Sequence, residues 1–364
     1  MKTTGNELSV LEAATLSRNK KALQEYAFLS QIADMYYNQN MQQSDIARQL
    51  FFSRSTVSRL LARAREVGIV DIRVRQVRDR IPSMEEVFCR TFGLKDAVII
   101  SCFEGDSYDR TLDALTDFAS IYTSNLLKGK KRFGIASGTA ADRTIRKIHP
   151  IHECELEVVQ LIGTASNAHQ AVEARELRVH LAELFHGDSY ELRTPIYMDN
   201  AMAREALLND PNVRRVMDMM EHCDIVLTGL GGIDVSRLKT AEIIREYQTE
   251  AQAQELKEKG AVGCVCMMYY DINGNYVPCE WNEKCICLHL DKVRKNQMTV
   301  AVACGDHKIM TILGALRGHL PNVLITDVNT AAKVLSRNEE LFGKSPEAER
   351  SDKKRDTGGI PLLY

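Results

Sequence analysis

Between residues 54 and 63 the chain sets Arg54, Ser55, Thr56, Ser58, Arg59 and Arg63 around an apolar repeat. Arginine presents a planar fork of donors that fits guanine edges and phosphate oxygens, and Ser and Thr hydroxyls reach either. At about 100° per residue, Val57, Leu60, Leu61 and Ala64 fall on one helical face. Ser55, Arg59, Ala62 and Glu66 fall on the opposite face, with Ser58 and Arg63 beside them. The surrounding charge agrees. Residues 18–80 hold twelve Lys/Arg and six Asp/Glu, a net +6, so the rest carries −8 of the chain's −2. A basic segment on an acidic body is the footprint of a nucleic-acid contact.

A second kind of chemistry sits at the ends of apolar runs. After Phe133–Ala136 comes Ser137-Gly138-Thr139-Ala140, a turn into a helix. Such a turn offers backbone N–H groups and the positive end of a helix to an anion, and Ser137 and Thr139 add hydroxyls. An ordinary strand–helix turn has the same spacing, so the residues alone leave both readings open. Two further runs end in glycines: Leu161-Ile162-Gly163-Thr164 and Thr228-Gly229-Leu230-Gly231-Gly232-Ile233-Asp234. Ligands of open α/β sheets lie at the carboxyl ends of strands. Asp234 can accept bonds from hydroxyls or cap a helix.

These residues need elements to hold them. Leu23, Ala27, Leu29, Ile32, Ala33 and Tyr36 predict a helix from Lys20 to about Asn38. A short helix over Gln43–Leu50, a tight turn and a helix over Ser55–Val67 then make a helix-turn-helix. Ile46, Ala47 and Leu50 are expected to pack on Val57, Leu60 and Leu61, with Ser53 or Ser55 as the cap. Gly68 stops the last helix, and Ile69–Val77 alternates like a strand that exposes Arg73 and Arg75. Arg78–Pro82 reads as connection and Ser83–Phe92 as a short helix, the whole of 79–92 being taken as a linker. From Ala97–Ser101 onward, apolar strands alternate with helices such as Ala171–Leu184 and Ile309–Leu316. Strands are expected at Phe133–Ala136, Leu156–Leu161, Ile225–Thr228, Val262–Met268, Thr299–Ala303 and Val323–Thr326. That rhythm predicts an α/β domain with a largely parallel sheet. The expected organisation is a flexible N-terminus at 1–19, a DNA-binding domain at 20–78, the linker, an effector domain at 93–336 and a flexible tail at 337–364.

Other signals exclude function classes. No apolar run reaches the ~18 residues a membrane helix needs, and no export signal opens the chain, so a cytoplasmic protein is expected. The ten cysteines are then reduced thiols. Cys264-x-Cys266 and Cys285-x-Cys287 lack the spacing of zinc sites, and no histidine pair, His149 and His152 included, completes one. Alternation places both members of each pair on one face of a buried strand. Tyr269, Tyr270 and Trp281 read as packing residues. No metal and no cofactor is expected.

The run S-D-I-A-R-Q-L, R-S-T-V-S-R-L-L-A-R-A-R-E-V-G-I-V resembles the N-terminal domain of SorC-type sugar-binding transcriptional regulators. The likeness continues over 93–336. Its most specific part there is V-A-C-G-D-H-K-I-M-T-I-L-G-A-L-R-G-H-L-P-N-V-L-I-T-D. The resemblance implies a Rossmann-like effector domain of the sugar-phosphate isomerase and deaminase type. It implies that Ser137–Ala140 holds a sugar phosphate and that Lys308 reaches the phosphate or carbonyl region. As a bare lysine before a helix, Lys308 reads as exposed. Two positions depart from the family. Cys264 stands where relatives carry an acidic residue that helps bind effector hydroxyls. Glu173-Ala174-Arg175 replaces neutral polar residues, so Arg175 is expected to favour a more anionic ligand. The implied function is an operator-binding regulator, most often a repressor, that acts as a homodimer or homotetramer and responds to a small phosphorylated sugar. Two rivals remain: a sugar-phosphate isomerase or deaminase-like enzyme, and a regulator with an unphosphorylated sugar or polyol. Against the enzyme, the histidine that follows the aspartate in deaminases is replaced by Val235-Ser236.

Overall fold

The structure, a computed structural model, describes residues 20–70, 78–152, 154–165, 168–233 and 249–343, with side chains from 24 and, in the helix at 168–184, from 172. It divides into two compact units, Met1–Gln76 and Val77–Tyr364.

The first unit is helical. Helix α1 spans Lys20–Tyr37, α2 Gln43–Gln49 and α3 Arg54–Glu66. Ile32, Met35, Ile46, Ala47, Val57 and Leu61 form its core, with Leu50 and Leu60 packed against them. The expected inward faces of α2 and α3 are therefore the real ones. On α1 the stripe runs through Phe28, Leu29, Ile32, Ala33 and Met35, and Ala27 is exposed. Burying a side chain such as Leu61 or Ile46 contributes about 1.5–3 kcal/mol, so a few contacts fix α3 against α1 and α2. Ser53 caps α3 by accepting from the Thr56 N–H at 3.1 Å. Gly68, at φ 76°, closes it, and the Ile69 N–H reaches the Ala64 carbonyl. That bond pattern requires a left-handed residue just past the helix, which glycine adopts freely. Most of the expected strand Ile69–Val77, with Arg73 and Arg75, lies outside the described residues.

The second unit is a three-layer α/β structure. Its sheet contains β1 (Asp96–Ile100), β2 (Arg132–Ile135), β3 (Glu157–Gln160), β4 (Ser189–Tyr190), β5 (Ile225–Gly229), β8 (Thr299–Val302) and β9 (Val323–Asp327). Their order is β1-β9-β8-β5-β2-β3-β4, and each pairing is parallel. Strand alternation feeds two cores: Val98 and Ile100 point to one face, Ala97 and Ile99 to the other. On the first face pack α5 (Tyr108–Leu126), α6 (Thr139–Ile145) and α7 (Ala168–Leu184). On the second lie α4 (Pro82–Phe92), α9 (Pro211–Glu221), α13 (Ile309–Arg317) and α14 (Val328–Phe342). Four short helices complete the described elements: α8 (Ala201–Leu208), α10 (Glu250–Glu258), α11 (Glu280–Lys284) and α12 (Leu290–Lys295).

Three expectations change. Segment 79–92 is not a linker. Phe88 and Phe92 are buried in the main core, and Glu85 accepts the Ile99 N–H at 2.9 Å and pairs with Arg80 at 2.8 Å. Arg78 is buried too, 2.7 Å from Asp106 and stacked on Phe103. The stretch from 337 is not all tail: α14 runs on to Phe342, whose ring lies under the Arg317 guanidinium, and Asn338 is buried. Residues 1–19 and 344–364 lie outside the described residues. Finally, Val262–Met268 is not one strand. β6 (Ala261–Val265) and β7 (Met268–Asp271) form an antiparallel hairpin separate from the parallel sheet. Cys266 and Met267 make its turn at φ 48° and 68°. Two successive left-handed residues are what a two-residue hairpin demands, normally met by Asn-Gly.

Candidate functional site

Helix α3 presents Arg54, Ser55, Ser58, Arg59 and Arg63 to solvent while Val57, Leu61 and Ala64 are buried. The helical repeat had already separated these faces. Thr56 is half-buried and its hydroxyl lies 2.8 Å from Ser53 Oγ, as does that of Ser55. Those two hydroxyls thus belong to the cap network, while Ser58, Arg54 and Arg59 stay outside it. Arg63 pairs with Glu66 at 3.2 Å, both exposed. The face can donate to phosphates and base edges without losing any contact its core needs.

The second site lies where the sheet changes direction. From β2 the chain moves outward to β3 and β4, then returns to β5 on the other side of β2. The carboxyl ends of β2 and β5 therefore open a crevice, the place where open α/β sheets take ligands. A cavity fills it, lined by Ser137, Gly138, Thr139 and Ala140 after β2 and by Thr228–Gly231 at the end of β5 and just past it. Lys308 lines it from the 3₁₀ turn Asp306–Lys308 after β8, and Cys264, Cys266 and Met267 line it from the hairpin. Tyr108, Leu112, Val302, Ala303 and Cys304 complete the wall, Tyr108 meeting His307 edge-on at 5.2 Å.

Each polar group is held by its neighbours. The Gly138 N–H donates to Asp142 Oδ1 at 3.2 Å, which ties down the start of α6. The N–H groups of Thr139 and Ala140 belong to that first turn and have no acceptor within the helix. Gly231 and Cys264 exchange backbone bonds of 2.8 and 2.7 Å, so the hairpin is tied to the β5 loop. A Cβ on Gly231 would lie 2.4 Å from Cys264 Sγ, which is why glycine stands there. Gly305, at φ 99°, donates to Thr330 Oγ1 at 2.7 Å and turns the chain into the lysine.

The electrostatics are lopsided. Lys308 is only 7% exposed. Burial lowers its pKa, the thiols of Cys264 and Cys304 partly opposing that shift. Among the described residues no carboxylate pairs with it, and none lines the cavity. Burial pushes Cys264 up to about 11 and Cys304 up to about 12, so both are neutral thiols. Asp142, behind the turn, is pushed up to about 7, first by burial and then by Glu173, with the Gly138 N–H opposing. A buried cation without a counter-charge favours an anionic guest, because the guest supplies the partner that burial has withheld.

Not every expected residue reaches this cavity. Gly163 and Thr164 do not line it. Thr164 pairs along 194–196, and a Cβ on Gly163 would meet the Pro195 carbonyl at 2.5 Å. This glycine lets two strands of backbone pass closely. Arg175 is exposed on α7 and does not line the cavity, and Glu173 pairs with Arg146 at 2.7 Å. Asp234 lies outside the described residues. Lys308, read as exposed from local sequence, is buried because β8 delivers it into the crevice. Reasoning from sequence passed over Tyr108, Met267 and Asp142, and quoted Thr228 and Cys304 only inside longer runs, without a role. Only the position of β5 and β8 at the switch point marks them. The cysteine pairs are buried and unbridged, as expected, with Cys285 and Cys287 Sγ 3.6 Å apart, but Cys266 sits in a turn and not on a strand face. Among the described residues no group of three metal-binding side chains occurs, and no helix is long and apolar enough to cross a membrane.

Comparison with known proteins bears on both units. Residues 80–336 match the family model described as "Putative sugar-binding domain". The sorbitol operon regulator of Klebsiella pneumoniae is 28% identical over 312 residues, 84% of this chain and 96% of that protein. The deoxyribonucleoside regulator of Bacillus subtilis is 29% identical over 304 residues, again 84% and 96%. The crystal structure of the full-length sorbitol operon regulator superposes with a TM-score of 0.63 at 28% identity, covering 85% of this chain and 98% of that one. A regulator from Listeria monocytogenes at 20% identity and TM-score 0.64 shares the fold. A helix-turn-helix unit, a switch-point cavity and matches that span most of each relative lead to one conclusion: this chain belongs to the SorC family of transcriptional regulators with a sugar-binding domain.

Proposed function

We propose that the chain binds double-stranded operator DNA through α3 and is controlled by a small phosphorylated sugar held in the switch-point cavity. Arg54 and Arg59, with Ser58, Arg63 and the cap-linked Ser55 and Thr56, contact bases and phosphates. The effector phosphate rests on the Ser137–Ala140 turn and draws Lys308, while the sugar body lies over Gly231 and the neutral Cys264. The observation that carries this reading is Lys308, a buried ammonium on the wall that also holds the turn's N–H groups. The relatives named as a sorbitol operon regulator and a deoxyribonucleoside regulator support control of carbohydrate uptake or catabolism genes. The chain works in the cytoplasm as a homodimer or homotetramer, which matches two-fold operators, and the effector releases it as from a repressor. Its reading as a regulator and not an enzyme is supported by the relatives, which are named as regulators.

A gel shift on the native upstream DNA, with and without sugar phosphates and the matching free sugars, tests this. Binding that a phosphorylated sugar reverses, and its free form does not, is the expected result. Absence of a shift on any nearby promoter, or turnover of a sugar phosphate, overturns it.

A further inference from the structure

Phe51 stands between α2 and α3 in a conformation and an exposure that the fold does not reward. Leu50 is the C-cap of α2, and Phe51 follows it at φ 59°. The Phe52 N–H then bonds the Ala47 carbonyl at 2.9 Å. This closure requires a left-handed residue at position 51, where glycine is the favoured choice. The only other left-handed non-glycine among the described residues of this unit is Asn40, a residue type that tolerates the conformation. A bulky ring is strained there. Nor does packing compensate: Phe51 is 94% exposed. Its neighbour Phe52, by contrast, meets the Phe28 ring edge-on at 5.8 Å and holds the turn to α1. One aromatic of the pair is held against α1, and the other is spent on solvent.

What lies around Phe51 indicates its partner. Three residues before it is Arg48, 81% exposed at its side chain, and two residues after it is the cap of α3, followed by exposed Arg54 and Ser55. An apolar ring set between exposed cations, Arg54 and the Asp45-paired Arg48, fits a polyanion that also has apolar edges. Duplex DNA offers such edges in the 5-methyl groups of thymine, which line the major groove and accept Phe contacts. We infer that Phe51 is a DNA-contacting residue that packs its ring on thymine methyl groups beside the bases reached by α3. The contact rests on the DNA-binding reading given above, and it assigns to the turn a share of sequence preference that polar α3 side chains do not supply.

The test uses the full-length protein and a duplex of its native upstream region, read by fluorescence anisotropy. Phe51→Gly removes the ring and suits the left-handed backbone. Hydrogen exchange over residues 43–66 is therefore expected to be as slow as in the parent or slower. DNA affinity is expected to fall about 5–20-fold, the loss of an apolar base contact. Replacing thymine by uracil in the duplex is expected to weaken the parent to a similar degree and to leave Phe51→Gly unchanged. Parental affinity in Phe51→Gly overturns the inference, as does equal uracil sensitivity in both proteins. A change in sedimentation of the DNA-free protein on losing Phe51 also overturns it, since the ring would then serve a second copy. Arg59→Ala separates the two failures. If Arg59→Ala binds weakly and Phe51→Gly does not, only the role of Phe51 falls. If neither variant weakens binding, α3 is not the reading helix.

Discussion

Both candidate sites turn on left-handed residues that are not glycine, and they use them in opposite ways. In the helical unit Phe51 throws its side chain outward, 94% exposed. In the α/β unit Cys266 and Met267 turn inward, 4% and 8% exposed, and line the cavity, the Trp281 indole N–H holding the Met267 carbonyl at 2.8 Å. The cations differ likewise. Arg54 and Arg59 are exposed on a contiguous stretch of α3, whereas Lys308 is buried at the meeting of several strand ends. A surface that must meet a large rigid polyanion needs reach. A pocket for a small ligand needs a dry, preset charge, and that charge costs stability while the pocket is empty. The candidate residues in both units thus sit where the isolated fold would prefer something else.

Burial should set the size of every mutational effect in this contrast. The largest expected change is Arg78→Ala. It leaves Asp106 buried without its partner, and breaking a buried pair from one side costs about 3–5 kcal/mol. Urea unfolding is expected to show that loss in the α/β unit, while exchange over α1–α3 is unaltered. Second comes Lys308→Met. Losing a charged donor to the phosphate lowers effector affinity about 10–100-fold, and removing a buried ammonium raises thermal stability. Calorimetric titration with the effector and a melting curve read the two opposite signs; a fall in both would make Lys308 a structural residue.

Asp142→Asn is third. The folded carboxyl, pushed up to about 7, holds its proton where the unfolded one has already lost it. Stability therefore falls as pH rises from about 4 to about 7 and stays low above that window. The asparagine variant is expected to match the parent near pH 4. It should exceed the parent at pH 8 by on the order of 1–3 kcal/mol, since Asn still accepts the Gly138 N–H. Denaturation at both pH values checks this, and a difference independent of pH would break it. Smallest is Glu66→Ala, which frees Arg63 from an exposed pair. Stability is expected to change by no more than about 0.5 kcal/mol, and operator affinity to rise slightly as a negative charge leaves the DNA face.

The helical unit was far more legible in the sequence than the cavity. For α3 a single repeat decides which side chains are buried, and the cap, the stop at Gly68 and the basic face lie within 16 consecutive residues, 53–68. The cavity draws on segments from Tyr108 to Lys308. Of these, Ser137–Ala140 was readable because strand, turn and helix follow one another directly. Gly163 and Gly231 looked alike in sequence. One is required by a neighbouring backbone and the other by the cavity-lining Cys264. Segment 79–92 misled for a related reason: its place is set by distant partners, Arg80 and Glu85 bonding to groups of β1 and the preceding Arg78 to the loop after it.

By itself the sequence determined the helix-turn-helix and the α/β rhythm, because each depends on neighbours within a turn or two of chain, and it carried the family resemblance. Tertiary structure alone decided that Lys308 is buried, that Arg175 stands away from the cavity, and that β6 and β7 form a hairpin whose strained tip lines it. Those outcomes follow from the order of strands in the sheet. Parallel pairing joins segments far apart in the chain, and burial is a property of the assembled neighbourhood and not of any local spacing.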